Sequence, residues 1–272
     1  MTVKKVWAVY FSGTGTTKKT VDRIAHRLAE ALGTDCEVYD YTLPAARRQE
    51  LTIPSGDVAV VGCPTYAGRV PNLLMPYLRD MVHGEGALAV PVVLFGNRNY
   101  DDALMELSRL LTADGFSCVA GGAFVGEHSF SRTLGAGRPS GADVGEMDAF
   151  AEHVAAKLVA GDTAPVTVGG CDPIRTYYTP RDRHGDSINI LKVKPKTDMT
   201  KCGGCGLCAA RCPMGSIDPA DVSRVNGVCI KCGACVKGCP SGAKYFDDPG
   251  YLYHKSELEE VYARPAKNET FL

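Results

Sequence analysis

The chain has 272 residues, with 30 Lys+Arg against 31 Asp+Glu, a formal net charge of -1, and 45% hydrophobic and 22% charged residues. That length suggests roughly two domains, and the composition suits packed globular structure. It excludes a disordered tail, a collagen-like repeat and, at the level of the whole chain, a strongly basic nucleic-acid binder. The longest apolar stretch, Ala87 to Phe95, is nine residues long. A membrane span needs roughly 20, so none is expected. The opening MTVKKVWAVYF runs from two lysines into a β-branched segment without a small-residue cleavage site. It reads as a first strand rather than a secretory signal, which implies a cytoplasmic, reducing location. There, clustered cysteines serve as ligands more often than as disulfides.

In chain order, residues 1–160 alternate short apolar runs with helical patterns. Val6–Phe11 reads as a strand buried on both faces. Thr17–Leu32 places Val21, Ile24, Ala25, Leu28 and Leu32 at helical spacing, and Gly33 stops it. Strands follow at Cys36–Tyr41 and Asp57–Cys63, a helix at Asn72–Val82, a strand at Ala89–Phe95 and a helix at Asp101–Thr112. Cys118–Val125 is the fifth strand and Asp143–Val159 the closing helix. Such alternation predicts a parallel sheet covered on both faces. Between Glu127 and Ala142 lies a long Gly/Ser/Arg-rich loop, of a length usually reserved for function or docking. Residues 161–199, rich in Pro, Gly and Tyr, form an extended connector whose aromatics require a packing surface. Residues 200–246 hold most of the cysteines, and 247–272 form a tail with one short helix at Ser256–Tyr262.

Eight of the twelve cysteines form two runs. Cys202-x2-Cys205-x2-Cys208-x3-Cys212-Pro213 is repeated, 27 residues on, as Cys229-x2-Cys232-x2-Cys235-x3-Cys239-Pro240. Gly206 corresponds to Gly233 and Gly215 to Gly242, so each half is one structural unit. In runs of this type three closely spaced thiolates grip three corners of a cubane, and the fourth reaches across to the other cluster. This assigns Cys202, Cys205, Cys208 and Cys239 to one [4Fe–4S] cluster, and Cys229, Cys232, Cys235 and Cys212 to a second. A pair of structural zinc sites would instead use two CxxC pairs separated by a longer loop. Residues 200–245 carry six basic and two acidic side chains. Thiolate-ligated metal would offset that excess, although solvated surface lysine explains it equally well. The segment resembles a bacterial two-cluster ferredoxin, a small α+β domain, with every ligand position present.

Three loops of the first domain carry a second chemistry. After the first strand comes Ser12-Gly13-Thr14-Gly15-Thr16-Thr17, leading into a helix. Lys18 stands where the dinucleotide fingerprint needs its third glycine, and no Walker lysine follows. Hydroxyls and N–H groups at a helix start can hold a phosphate dianion, although a Ser/Thr cap is the ordinary explanation. Pro64-Thr65-Tyr66-Ala67-Gly68 follows the third strand, and Gly96-Asn97-Arg98-Asn99-Tyr100-Asp101 the fourth. In a doubly wound sheet of order 2-1-3-4-5 these loops meet at the carboxyl edge.

The three loops resemble those of flavodoxins, over roughly residues 4–160. The resemblance implies FMN, with Ser12, Gly13, Thr14, Gly15, Thr16 and Thr17 at its phosphate. Pro64, Thr65, Tyr66, Ala67 and Gly68 would line one side of the ring system. Gly96, Asn97, Tyr100 and Asp101 would line the other, with Tyr66 and Tyr100 covering the ring. Arg69 and Arg98 depart from an acidic flavin rim, giving either a positive rim or ion pairs with Asp101 and Asp102. His128, Arg132 and Arg138 in the long loop would bind an acidic substrate or cover the flavin, or else the loop docks the cysteine-rich segment. No catalytic triad, HExxH motif or supported carboxylate pair is present.

As a whole the chain resembles the flavodoxin–ferredoxin fusion proteins of anaerobic bacteria and archaea. The resemblance implies an electron-transfer flavoprotein with one FMN and two [4Fe–4S] clusters, joining one- and two-electron partners. These would be a redox protein or a small electron acceptor. The alternative is an FMN-dependent reductase of a small organic acceptor, fed through the clusters; residues 127–142 keep it open.

Overall fold

The computed structural model describes residues 2–272. Five parallel strands form the centre of the molecule. They are β1 (Lys5–Tyr10), β2 (Asp35–Asp40), β3 (Val58–Pro64), β4 (Leu88–Phe95) and β5 (Gly121–Val125). Their order is 2-1-3-4-5, the doubly wound arrangement expected of the sequence. All eight residues of β4 are buried, as are the first six of β3, because helices cover both faces.

On one face lie α1 (Thr16–Leu32) and α4 (Gly141–Val159). Val21, Ile24 and Leu28 meet Met147, Phe150 and Val154 over Val6, Ala8 and Tyr10. The opposite face holds α2 (Met75–Met81) and α3 (Ala103–Ala113), where Leu104, Leu107 and Leu111 pack on Val9, Val61 and Val93. The α1 helix ends at Gly33, whose positive φ of 66° lets its N–H reach back to Glu30. A capping box between Ser140 and Asp143 opens α4. The predicted helix over 72–82 begins only at Met75, with Pro76 in its first turn, and Val82 enters a short strand beside Leu51–Pro54.

The expected five-stranded sheet has seven strands. Ser117–Cys118 pairs with the start of β4, and β6 (Glu269–Phe271) runs antiparallel along β5. The chain end therefore returns to the first sheet. Before it comes α5 (Pro249–Val261), which is longer than the predicted 256–262 helix. Its start was readable: Asp248 accepts a hydrogen bond from the Tyr251 N–H and Pro249 occupies the first turn.

The cysteine-rich segment consists of two similar halves, each with a four-residue helical turn, Leu207–Ala210 and Ala234–Lys237. Gly206 and Gly233 precede these turns with φ of 68° and 76°, so the repeat extends to the left-handed backbone that only glycine adopts cheaply. Lys196–Thr197 and Lys244–Tyr245 form a two-stranded ribbon beneath. Among the described residues no helix is long and apolar enough to cross a membrane.

Candidate functional site

The two cysteine runs exchange their fourth members. One cavity is lined by Cys202, Cys205, Cys208 and Cys239. The other is lined by Cys212, Cys229, Cys232 and Cys235. Each therefore takes three sulfurs from one run and one from the other. Among the described residues, no three His, Cys, Asp or Glu side chains converge on one metal-ion position. Thiolates around a single zinc ion would lie about 2.3 Å from a common centre. Sulfurs arranged around a cavity instead suit a multi-iron core.

The thiol chemistry agrees. Burial pushes Cys232 and Cys235 up to about 12, so thiolates at these positions require a cationic partner. Burial also pushes Cys239 upward, but hydrogen bonds from Ser241 and from backbone N–H groups outweigh it and bring it down to about 7. The Ser216 N–H reaches Cys212 Sγ at 3.3 Å, and the Lys231 N–H reaches Cys229 Sγ at 3.4 Å. Ile217, Ile230 and Phe246 give the Cys212 cavity an apolar wall.

This cavity abuts the glycine–threonine loop. A Cβ placed on Gly13 would lie 2.8 Å from Cys232 Cβ. Tyr66, after β3, packs on Ile230, Cys232 and Ala234. In the loop itself, Ser12 Oγ accepts the Lys18 N–H at 3.0 Å, and the Ser12 N–H bonds Thr42 Oγ1 at 2.8 Å. Gly15, with φ 91°, turns the chain into α1 and as N-cap offers no side chain, so Ser12 serves only the Lys18 N–H of the first turn. The first-turn N–H groups of Thr16 and Thr17 thus lack intrahelical acceptors. Thr14 and Gly15 stand beside them, and Thr65 Oγ1 is buried without a hydrogen-bond partner. A set of N–H groups and hydroxyls with one orphaned buried oxygen fits the phosphate and sugar end of a nucleotide cofactor.

The other loop residues divide. Ala67 C=O accepts the Tyr178 N–H at 2.8 Å, and Gly68 C=O accepts the Asp102 N–H at 3.0 Å. Gly68 also lies against Asp101, which pairs with Arg98. Gly96 packs against His128. The expected stacking role of Tyr100 does not fit its position. Tyr100 is buried in the core against Phe95, and its hydroxyl donates to Glu269 at 2.6 Å. Asn97 is likewise engaged elsewhere: its amide NH2 donates to Tyr262 and Arg264 carbonyls, and its oxygen accepts the Ala266 N–H. In both cases the chain end has closed over the loop after β4.

Of the two arginines, Arg98 pairs with Asp101 as one expectation had it, whereas Arg69 takes the buried Glu106. Asp102 instead belongs to the connector. Arg175 holds its carboxyl well below the usual range, with further hydrogen bonds from the Arg175 and Cys171 N–H groups. The long loop contacts the cysteine-rich segment, as the docking expectation had it. Glu127 pairs with Lys237, Arg132 donates to the Val236 carbonyl, and the Ser129 carbonyl faces Gly233. Arg138, by contrast, pairs with Asp143 at the start of α4.

Five aromatic side chains link these parts. Phe246 stacks on Tyr251 at 4.3 Å, Tyr251 meets Phe130 at 4.5 Å, and His254 lies between Phe130 and Tyr178. Arg98 lies over the Tyr178 ring. Tyr178 is one of the connector aromatics expected to need a packing surface; the other four come from three further stretches of chain that no local pattern marked.

Residues 201–244 match the family model described as a 4Fe-4S dicluster domain. Among solved structures, a flavodoxin of Streptococcus pneumonia TIGR4 aligns at 25% identity and TM-score 0.40, covering 56% of this chain and 99% of that one. A flavodoxin from the domain Archaea aligns at 14% identity and TM-score 0.38, over 57% and 99% of the two chains. The rubredoxin oxygen:oxidoreductase of Desulfovibrio gigas aligns at 20% identity and TM-score 0.35, over 57% and 36%. No curated protein matches the chain. The strand order given above independently establishes the doubly wound topology.

Proposed function

We propose that this fusion of a flavodoxin-type sheet domain with a ferredoxin-like segment is an electron-transfer iron–sulfur flavoprotein. In this reading it holds two [4Fe–4S] clusters and one FMN and exchanges electrons with a redox protein or a small acceptor. The observation that carries the reading is the pair of cavities, each lined by four cysteines shared between the two runs.

Cys202, Cys205, Cys208 and Cys239 would hold one cluster, and Cys212, Cys229, Cys232 and Cys235 the other. Ser12 to Thr17 and Thr65 would bind the FMN phosphate and ribityl chain. Tyr66, Ala67, Gly68 and Gly96 would border its ring. The clusters supply one-electron steps, and the flavin one- or two-electron chemistry. The protein's own contribution is position and exclusion of water. Cys232 against Gly13, and Tyr66 against Ile230, bring the Cys212 cavity to the phosphate loop without a spacer. Tyr251 and Phe246 close its far side.

The docking of residues 127–142 supports the carrier over the reductase. Glu127, Ser129 and Arg132 are occupied by the cysteine-rich segment rather than by a substrate pocket. Anaerobic purification tests the reading. The expected preparation contains about eight iron atoms and one FMN per chain. A zinc-loaded, iron-free preparation made anaerobically removes the cluster assignment, and an iron-loaded preparation unable to take up FMN removes the flavin.

A further inference from the structure

The lysines of the cysteine-rich segment are neutralised in different ways. Lys196, Lys201 and Lys237 pair with Asp247, Asp198 and Glu127. Lys231 donates to the carbonyls of Leu191 and Cys229. Lys244 differs from all of them. Only 3% exposed, it is the most buried lysine of the segment, and its ammonium donates to the Val222 carbonyl at 2.5 Å. Among the described residues no carboxylate pairs with it. Asp221 feels its charge, but that carboxylate is taken by the Ser223 hydroxyl and N–H.

A buried ammonium served by one carbonyl is destabilising unless an anion compensates it. The position of Lys244 identifies that anion. The side chain lines the cavity of Cys202, Cys205, Cys208 and Cys239. Its charge is felt at Cys208 of this set and also at Cys235 of the other. Its backbone N–H hydrogen-bonds Cys239. The ribbon with Lys196–Thr197 fixes this backbone, with Lys244 opposite Thr197.

We propose that Lys244 is the buried counter-charge of the cluster held by Cys202, Cys205, Cys208 and Cys239, and that it raises that cluster's reduction potential. The inference rests on the cluster reading above. A four-cysteine cluster is anionic, and one-electron reduction adds one negative charge without breaking a bond. An ammonium beside the cavity, shielded from water, stabilises the reduced form more than the oxidised form. Lys244 acts through the field it imposes and is not a ligand.

The test is an anaerobic redox titration of the intact protein with dithionite as the electron donor, followed by EPR, on wild type, Lys244→Met and Lys244→Arg. Iron is counted in each. With the iron content kept, Lys244→Met should lower the midpoint potential of one cluster clearly and of the other less. Lys244→Arg should retain most of the wild-type value. Unchanged potentials in an iron-replete Lys244→Met protein overturn the proposal. So does iron loss in Lys244→Met that Lys244→Arg fails to restore, because lysine then serves packing rather than charge. Absence of any [4Fe–4S] signal from the wild type overturns the cluster reading itself, a distinguishable result.

Discussion

Gly13 faces Cys232 across the junction of the two parts of the chain, with no room for a side chain between them. An added Cβ at residue 13 would lie 2.8 Å from Cys232 Cβ and 3.2 Å from its Sγ. The backbone of the glycine–threonine loop and one proposed cluster ligand are thus packed closely at a single position. Gly13→Ala should therefore do more than stiffen a loop. The crowding should cost about 1–3 kcal/mol of stability. It should also alter the EPR spectrum of the cluster whose set includes Cys232, while leaving the other spectrum unchanged. Anaerobic thermal unfolding and low-temperature EPR on the same samples check both.

The exchange of fourth cysteines gives a sharper spectroscopic expectation. Cys239→Ala should remove the same cluster signal as Cys202→Ala, although residue 239 belongs to the other run. Cys235→Ala should remove the second signal. Iron should fall from about eight to about four per chain in each case. If Cys239→Ala instead reproduces Cys235→Ala, each run serves its own cluster and the cavity assignment fails.

The parts legible in the sequence are those whose pattern is local. The alternation of strands and helices follows from apolar runs and helical spacing, as in Val6–Phe11 and the stripe from Val21 to Leu28, and the flavodoxin resemblance implies their order. The cysteine sets follow from spacing and a 27-residue repeat. The side-chain partners of Tyr100 and Asn97, in the loop after β4, are hidden from the sequence for a different reason. Their partners are Glu269 and the backbone of Tyr262, Arg264 and Ala266, more than 160 residues away in sequence. Nothing near Gly96 could announce that a strand from the chain end would cover it. Lys244 escaped notice for a similar reason. Its lysine is ordinary in composition, and only burial without a carboxylate gives it meaning.

Tyr100 and Glu269 then define what the chain end does. The hydroxyl–carboxylate hydrogen bond, at 2.6 Å, anchors β6 to the loop after β4. Tyr100→Phe keeps the ring against Phe95 but leaves the Glu269 carboxylate without this donor. The expected loss is about 1.5–3 kcal/mol. Hydrogen exchange should rise first at residues 269–271, which pair with β5 along the sheet edge. Because Tyr100 does not border the proposed flavin ring, FMN retention should remain that of the wild type. A selective loss of FMN in a folded Tyr100→Ala protein, which removes the ring, would restore the stacking role that the core position of Tyr100 argues against.

His128 supplies the pH dependence. Its imidazole lies under the docked segment against Gly96 and edge-on to Phe130, with Nδ1 accepting the Phe130 N–H at 3.1 Å. Burial, aided by the charges of Lys237, His254 and Arg98, brings its pKa from 6.5 down to about 3. The unfolded chain therefore binds a proton near pH 6.5 that the folded chain refuses. Stability from a neutral His128 is complete above that value and is lost as pH falls from about 6.5 towards 3. At most the slope is about 1.4 kcal/mol per pH unit, for one proton. Buried His254, whose pKa is also lowered by burial, adds to the same trend. His128→Gln should flatten the stability profile between pH 6.5 and 5, measured by anaerobic denaturant unfolding. A variant slope equal to that of the wild type would assign the acid sensitivity to groups other than the histidine at this junction.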